Sequence, residues 1–136
     1  MTPPTRFALV IHGSPWASQC AQTAWHFAVA ALRQGHAVER IFLYGDGVYL
    51  ASALATPPRD EVDWSARWRA LIDEHQLPAT ACIASALRRG ILDQREAERH
   101  ERPAASLAPQ WRLAGLGDWI EAEQNADRVL FFGETQ

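Results

Sequence analysis

Four stretches of this 136-residue chain are apolar over most of their length, without the regular polar alternation of a half-exposed strand. They are "RFALVIH" (6–12), the second half of "HAVERIFLY" (36–44), "PATACIA" (78–84) and "DRVLFF" (127–132). A strand that alternates has one wet face, whereas a continuous apolar run is buried on both. The segments between the runs change to helical spacing, and a helix is the usual crossover between parallel strands. The expectation is an α/β fold: a single three-layer domain with a parallel sheet of about five strands flanked by helices, "WRLAG" (111–115) supplying a short further strand. One domain is expected because a chain of this length, 48% hydrophobic, can bury one core.

The helical segments read individually. In "WASQCAQTAWHFAVAALRQG", Ala21, Ala24, Trp25, Ala28, Ala31 and Leu32 recur on one face, and Gly35 stands where a C-terminal cap belongs. The stretch "VYLASALATPPRDEVD" has no clean period and contains Pro57-Pro58, so it reads as a loop with one short helical turn. From Asp60 a helix is expected with acidic residues in its first turn, Trp64, Trp68, Leu71 and Ile72 on its inner face, and an end before Pro78. "SALRRG" reads as a short helix stopped by Gly90. Asp93 with Glu96 forms a capping-box pattern ahead of a polar helix, and "LGDWIEAEQNA" is the last helix.

Composition removes several functions. The 13 basic side chains are all arginine, which excludes a Schiff-base lysine and a lysine-dependent phosphate loop. A net charge of −3 argues against a broad grip on nucleic acid, so no direct nucleic-acid binding is expected. No apolar run is long enough to span a membrane, and "MTPPTRFALVIHG" has no signal-peptide pattern, so the reducing cytoplasm is the expected compartment. Two lone cysteines there are more often free thiols than a bridge.

Cys82 falls where the third apolar run meets a helix, at the carboxyl end of a parallel strand, where open α/β sheets place their ligands. Backbone N–H groups at a helix start favour the thiolate, the nucleophilic form of a cysteine. Against this stands the tendency of free cysteine to be packed in a core. Cys20, with Ala24, Phe27 and Ala31 at helical spacing, reads as a packing residue. Arg88 and Arg89 lie too far along their helix to sit beside the Cys82 sulfur. The histidines at 12, 26, 36, 75 and 100 have no metal-ligand spacing, and His12 alone ends a strand at the functional edge. Of six tryptophans, Trp25, Trp64 and Trp68 fit inner helix faces, while Trp16, Trp111 and Trp119 are harder to bury together and would suit an interface.

"CIASALRRG" (82–90) resembles the cysteine segment of the DsrE family, in particular its TusD-like sulfurtransferase subunits. "YGDGVYLASAL", "RDEVD", "LAGLGDWIEA" and "ADRVLFF" resemble that family in the same order, so the likeness spans nearly the whole chain. The resemblance implies a persulfide carrier with Cys82 as the catalytic residue, Tyr44 and Tyr49 shaping a substrate pocket, and no metal, nucleotide or flavin cofactor. It also implies TusB-like and TusC-like paralogous subunits in a heterohexamer, an upstream persulfide donor, and a TusE-like acceptor in a relay ending at the 2-thio group of the tRNA wobble uridine. A DsrE-type role in dissimilatory sulfur oxidation, and a non-catalytic subunit of a hetero-oligomer, are the rival expectations. A disulfide reductase using Cys20 and Cys82 is a third. The "GD" of Gly45 and Asp46 and the tail "GETQ" depart from the family pattern.

Overall fold

The computed structural model describes residues 3–133, so most of the "GETQ" tail lies outside the described residues. Five strands form one all-parallel sheet in the order β4-β3-β2-β1-β5. In chain order they are β1 (Arg6–Ile11), β2 (Ala37–Leu43), β3 (Ala79–Cys82), β4 (Arg112–Ala114) and β5 (Arg128–Phe132). The helices are α1 (Cys20–Arg33), α2 (Trp64–His75), α3 (Ile83–Arg88), α4 (Gln94–Arg99) and α5 (Leu116–Asn125), and a 3-10 helix covers Gly45–Ala51. The expected single three-layer architecture is the one observed.

The two faces of the sheet separate by residue parity, as strand pleating requires. Leu9, Ile11, Ile41, Leu43, Ala79 and Ala81 join the main core with the alanine face of α1 and with Trp68, Leu71 and Ile72 of α2. Alanines at 21, 24 and 28 let α1 approach the sheet closely. Trp68 is fully buried, and its indole N–H donates to the Ala21 carbonyl at 2.9 Å, tying α2 to α1. The opposite face carries Ala8, Val10, Phe42 and Thr80, and α5 lies across it, with the Trp119 ring 5.5 Å from that of Phe42.

On that second face Asp118, in the first turn of α5, pairs with Arg40 of β2 and accepts from the Thr80 hydroxyl of β3 at 3.0 Å. Arg112 of β4 adds a longer contact at 3.4 Å. One carboxylate thus joins α5 to three strands. Burial raises its pKa, but the hydrogen bonds from Arg40 and Thr80 and the charges of Arg40 and Arg112 outweigh burial and hold it below the ordinary 3.8.

Local differences from the sequence expectation have identifiable causes. The loop after β2 contains seven residues of 3-10 helix rather than one turn. There is no apolar period for a sequence reading to detect, because its buried side is made of Gly47, Val48, Leu50 and Ala51. Helix α2 starts only at Trp64, so Asp60 and Glu61 precede it. Asp63 is the cap instead, accepting from the Ala66 N–H at 3.0 Å. Asp93 caps α4 by accepting from Glu96 N–H at 2.8 Å, but the Glu96 side chain turns to Arg99 and His100 rather than back to the cap. Trp111 is only 3% exposed and packs near Trp68, whereas Trp25 and Trp64 are half-buried, with the Arg67 guanidinium over both rings. Gly35 takes the left-handed conformation expected just beyond α1.

Replacing Asp118 by Asn is expected to lower stability by about 2 kcal/mol at pH 7, because it leaves the partly buried Arg40 without a counter-charge. A carboxyl whose folded pKa is depressed contributes stability above its unfolded value and loses it as pH falls through the folded one. The gap between wild type and Asp118→Asn in urea unfolding therefore narrows below about pH 4. An equal gap at pH 7 and pH 3 would contradict this assignment.

Candidate functional site

Cys82 is the last residue of β3 and the N-cap of α3, in register with Ala114 of β4. It therefore stands at the carboxyl edge of the sheet, as the sequence indicates, and it is a free thiol. It is also only 5% exposed and stands outside the main core cluster. The 3-10 helix Gly45–Ala51, distant in sequence, packs against both β3 and α3.

Two polar links fasten the 3-10 helix to α3 and its C-cap. The buried Ser85 hydroxyl, one turn into α3, accepts from the Gly45 N–H at 3.0 Å. Arg89, the C-cap of α3, donates to Asp46 at 2.8 Å and to the Ser85 carbonyl at 3.0 Å. Asp46, the residue that departs from the expected loop pattern, thus has a defined partner. Gly45 adopts φ +57°, and a side chain there would also strike the His12 ring. At Gly47 the N–H donates to the carbonyls of His12 and Tyr44, and a Cβ would collide with the Ile11 carbonyl. These two glycines allow the 3-10 helix to lie directly on the strand ends.

His12 ends β1 at the same edge, stacked on Tyr44 at 5.5 Å and on Phe131 at 5.8 Å between ring centroids. It lines a cleft of about 250 Å³ with Ser14, Asp46 and Arg89. Tyr44 is exposed and adjoins the Gly45–Ser85 link. Tyr49 lies further along the 3-10 helix and faces a different groove, beside Trp16 and Pro57. The structure therefore brings Tyr44 and His12 together and places Tyr49 apart from them.

Cys20 is the first residue of α1, half-buried against the core, with its sulfur close to Gly13. With Thr23 and Phe131 it lines a cavity of about 520 Å³ beyond the ends of β1 and β5, where the strand order reverses. Cys20 thus belongs to the end of β1 and Cys82 to the end of β3, with β2 between them. Two strand spacings are roughly 10 Å, beyond the Cα separation of about 7 Å that a disulfide tolerates. A Cys20–Cys82 redox pair does not fit this arrangement. Among the described residues no three His, Cys, Asp or Glu side chains cluster as metal ligands do.

Arg88 is exposed at the end of α3 and Arg89 is engaged by Asp46, so neither is aimed at the thiol from its expected position at the helix C-terminus. Sequence reasoning missed Ser85 and the Arg89–Asp46 pair. The only available signal was the unusual Asp46.

Residues 5–132 match the model of the DsrE/DsrF-like family, and the chain belongs to that family. It is 47% identical over 128 residues to a sulfurtransferase TusD homolog of Pseudomonas aeruginosa, covering 94% of this chain and 97% of that protein. It is 42% identical to the sulfurtransferase TusD of Klebsiella pneumoniae, covering 93% and 99%. It is 41% identical to a protein named DsrE from Allochromatium vinosum, covering 95% and 99%. The crystal structure of the YchN protein of E. coli superposes with a TM-score of 0.75 at 19% identity, covering 94% and 99%, which shows the shared fold.

In the native chain a thiol reagent is expected to modify half-buried Cys20 well ahead of Cys82, and the two at similar rates only after unfolding. Ser85→Ala removes one hydrogen bond holding the 3-10 helix to α3, worth about 1 kcal/mol, and is expected to speed Cys82 alkylation about fivefold. Mass-resolved alkylation in Cys20→Ser and in Cys20→Ser with Ser85→Ala measures this. Equal rates in the two would show that the Gly45 link does not control access.

Proposed function

We propose that this chain is a sulfurtransferase subunit that holds sulfane sulfur as a persulfide on Cys82 and passes it to an acceptor cysteine. The observation that carries the reading is the coincidence of full-length relatives named sulfurtransferase with a free thiol at the carboxyl edge of the sheet.

The chemistry needs two thiolates and one mobile sulfur. The Cys82 thiolate attacks the outer sulfur of a donor persulfide. The new S–S bond forms as the donor's S–S bond breaks, and the donor leaves as a thiolate with the electron pair. An acceptor thiolate then attacks the outer sulfur held on Cys82, and Cys82 departs as a thiolate in turn. Neither step needs a net oxidant or reductant. Because Cys82 is only 5% exposed, its surroundings must give way for the sulfur to be reached. Tyr44, beside the Gly45–Ser85 link, bounds the approach in this reading, and Tyr49 lines the separate groove beside Trp16 and Pro57.

The reading extends to assembly and pathway. Val129 and Phe131 of β5 and Leu116 and Ile120 of α5 are exposed, Phe131 by 64%, on the face that α5 covers incompletely. An apolar area of this kind suits TusB-like and TusC-like paralogous subunits in a heterohexamer. The donor is an upstream persulfide protein and the acceptor a TusE-like protein. The final product is the 2-thio group of the tRNA wobble uridine, and tRNA is not bound directly by this chain. Among the described residues no helix is long and apolar enough to cross a membrane. The reducing cytoplasm is the compartment that keeps two free thiols in this form.

Two other readings have an observation each. The relative named DsrE is about as similar as the Klebsiella TusD, which supports the same chemistry serving sulfur oxidation. The burial of Cys82 supports a non-catalytic subunit. Intact-mass measurement after incubation with a cysteine desulfurase, cysteine, a relay donor and the partner subunits separates them. Wild type and Cys20→Ser are expected to gain one sulfur, and Cys82→Ser none. An unmodified Cys82 under these conditions leaves the non-catalytic reading standing, and exchange of the acceptor protein distinguishes the two pathways.

A further inference from the structure

A groove of about 550 Å³ runs past the C-terminal end of α3, away from the Cys82 end of that helix. Leu54, Leu87 and Leu92 supply its apolar lining and Arg88 and Arg102 its charge, with His100 beside them. No acidic residue lines it, on a chain whose net charge is −3. Among the described residues neither Arg88 nor Arg102 makes an ion pair, whereas neighbouring Arg89 is taken by Asp46 and Arg99 by Glu96. Leu54 is 69% exposed.

The groove is assembled from three separate segments that are fastened to one another. The Ser106 hydroxyl donates to the Gly90 carbonyl at 2.6 Å and accepts from the Leu92 N–H at 3.1 Å. Ala53 N–H donates to the Ser106 carbonyl at 2.7 Å, and Ser52 bridges Leu107 in antiparallel fashion. A surface held this way is preorganised, so binding to it loses little ordering entropy. Two unpaired arginines, beside one histidine already in contact with Glu96, are a poor match for RNA, which needs many phosphate contacts. Unpaired arginines around an apolar floor instead complement a protein segment with leucines on one side and carboxylates beside them.

We propose that this groove docks an acidic amphipathic segment of the protein that exchanges sulfur with Cys82. Its apolar side chains sit on Leu54, Leu87 and Leu92, and its carboxylates pair with Arg88 and Arg102. The identity of the partner rests on the persulfide-carrier reading; the binding itself does not. Six helical residues of α3 separate Cys82 from the groove, a rise of about 9 Å, so a docked partner lies within reach of the sulfur.

The test uses the full chain and a fluorescein-labelled peptide with leucine at i, i+3, i+4 and i+7 and glutamate elsewhere, followed by fluorescence anisotropy. Arg88→Glu with Arg102→Glu is expected to weaken binding at least about tenfold, and Leu54→Asp at least about fivefold. Arg33→Glu with Arg128→Glu makes the same charge change at exposed positions outside the groove and is expected to leave binding unchanged. No binding by wild type, or equal weakening by the control pair, overturns the proposal. So does displacement of the peptide by tRNA together with indifference to Leu54→Asp, which would make the groove an RNA site. Loading of Cys82 by inorganic polysulfide, read by intact mass in the same variants carrying Cys20→Ser, is expected to be unaffected. Loading without peptide binding sinks the docking site alone, whereas peptide binding without loading sinks the carrier reading alone.

Discussion

The backbone contact between Gly47 and the end of β1 organises everything at the functional edge. With no Cβ, Gly47 brings its N–H to the His12 carbonyl and lets the 3-10 helix rest on the strand ends. From there the helix reaches β3 and α3, and its Gly45 N–H meets Ser85. Any larger residue at position 47 lifts the helix, and its contacts with β3 and α3 loosen with it.

The distance in sequence between these partners explains what the sequence discloses and what it withholds. Strands buried on both faces announce themselves as apolar runs, so the α/β architecture and most of its elements are readable without coordinates. The place of Cys82 at a strand end is readable for the same reason. The link between the 3-10 helix and α3 is not, because Gly45 and Ser85 are 40 residues apart and nothing in either neighbourhood marks the hydrogen bond. Trp111 is similar: "APQW" has no period, and only the packing of its loop near Trp68 buries the indole. The arginine-lined groove draws on three segments, each unremarkable alone.

The two faces of the sheet are finished to different degrees. The α1 and α2 face is closed by small alanines and large indoles, while the α5 face depends on Asp118 and on Trp119 over Phe42. Toward β5 that second face runs out of cover, which leaves Phe131 stacked on His12 but otherwise open. A residue of the functional edge and a residue of the unfinished face therefore touch. Whatever covers the β5 side has a direct contact with the histidine at the end of β1.

The strand order also has a temporal side. β1 lies at the inside of the sheet, yet one of its two neighbours, β5, is the last strand in the chain. At synthesis rates of about 5–20 residues per second, the β5 side of β1 waits on the order of ten seconds for its partner to emerge. During that interval a long apolar strand presents an unpaired edge, the situation in which nascent chains associate wrongly. The arrangement that gathers the strand ends at one edge in the finished protein leaves its inner strand the longest unprotected on the ribosome.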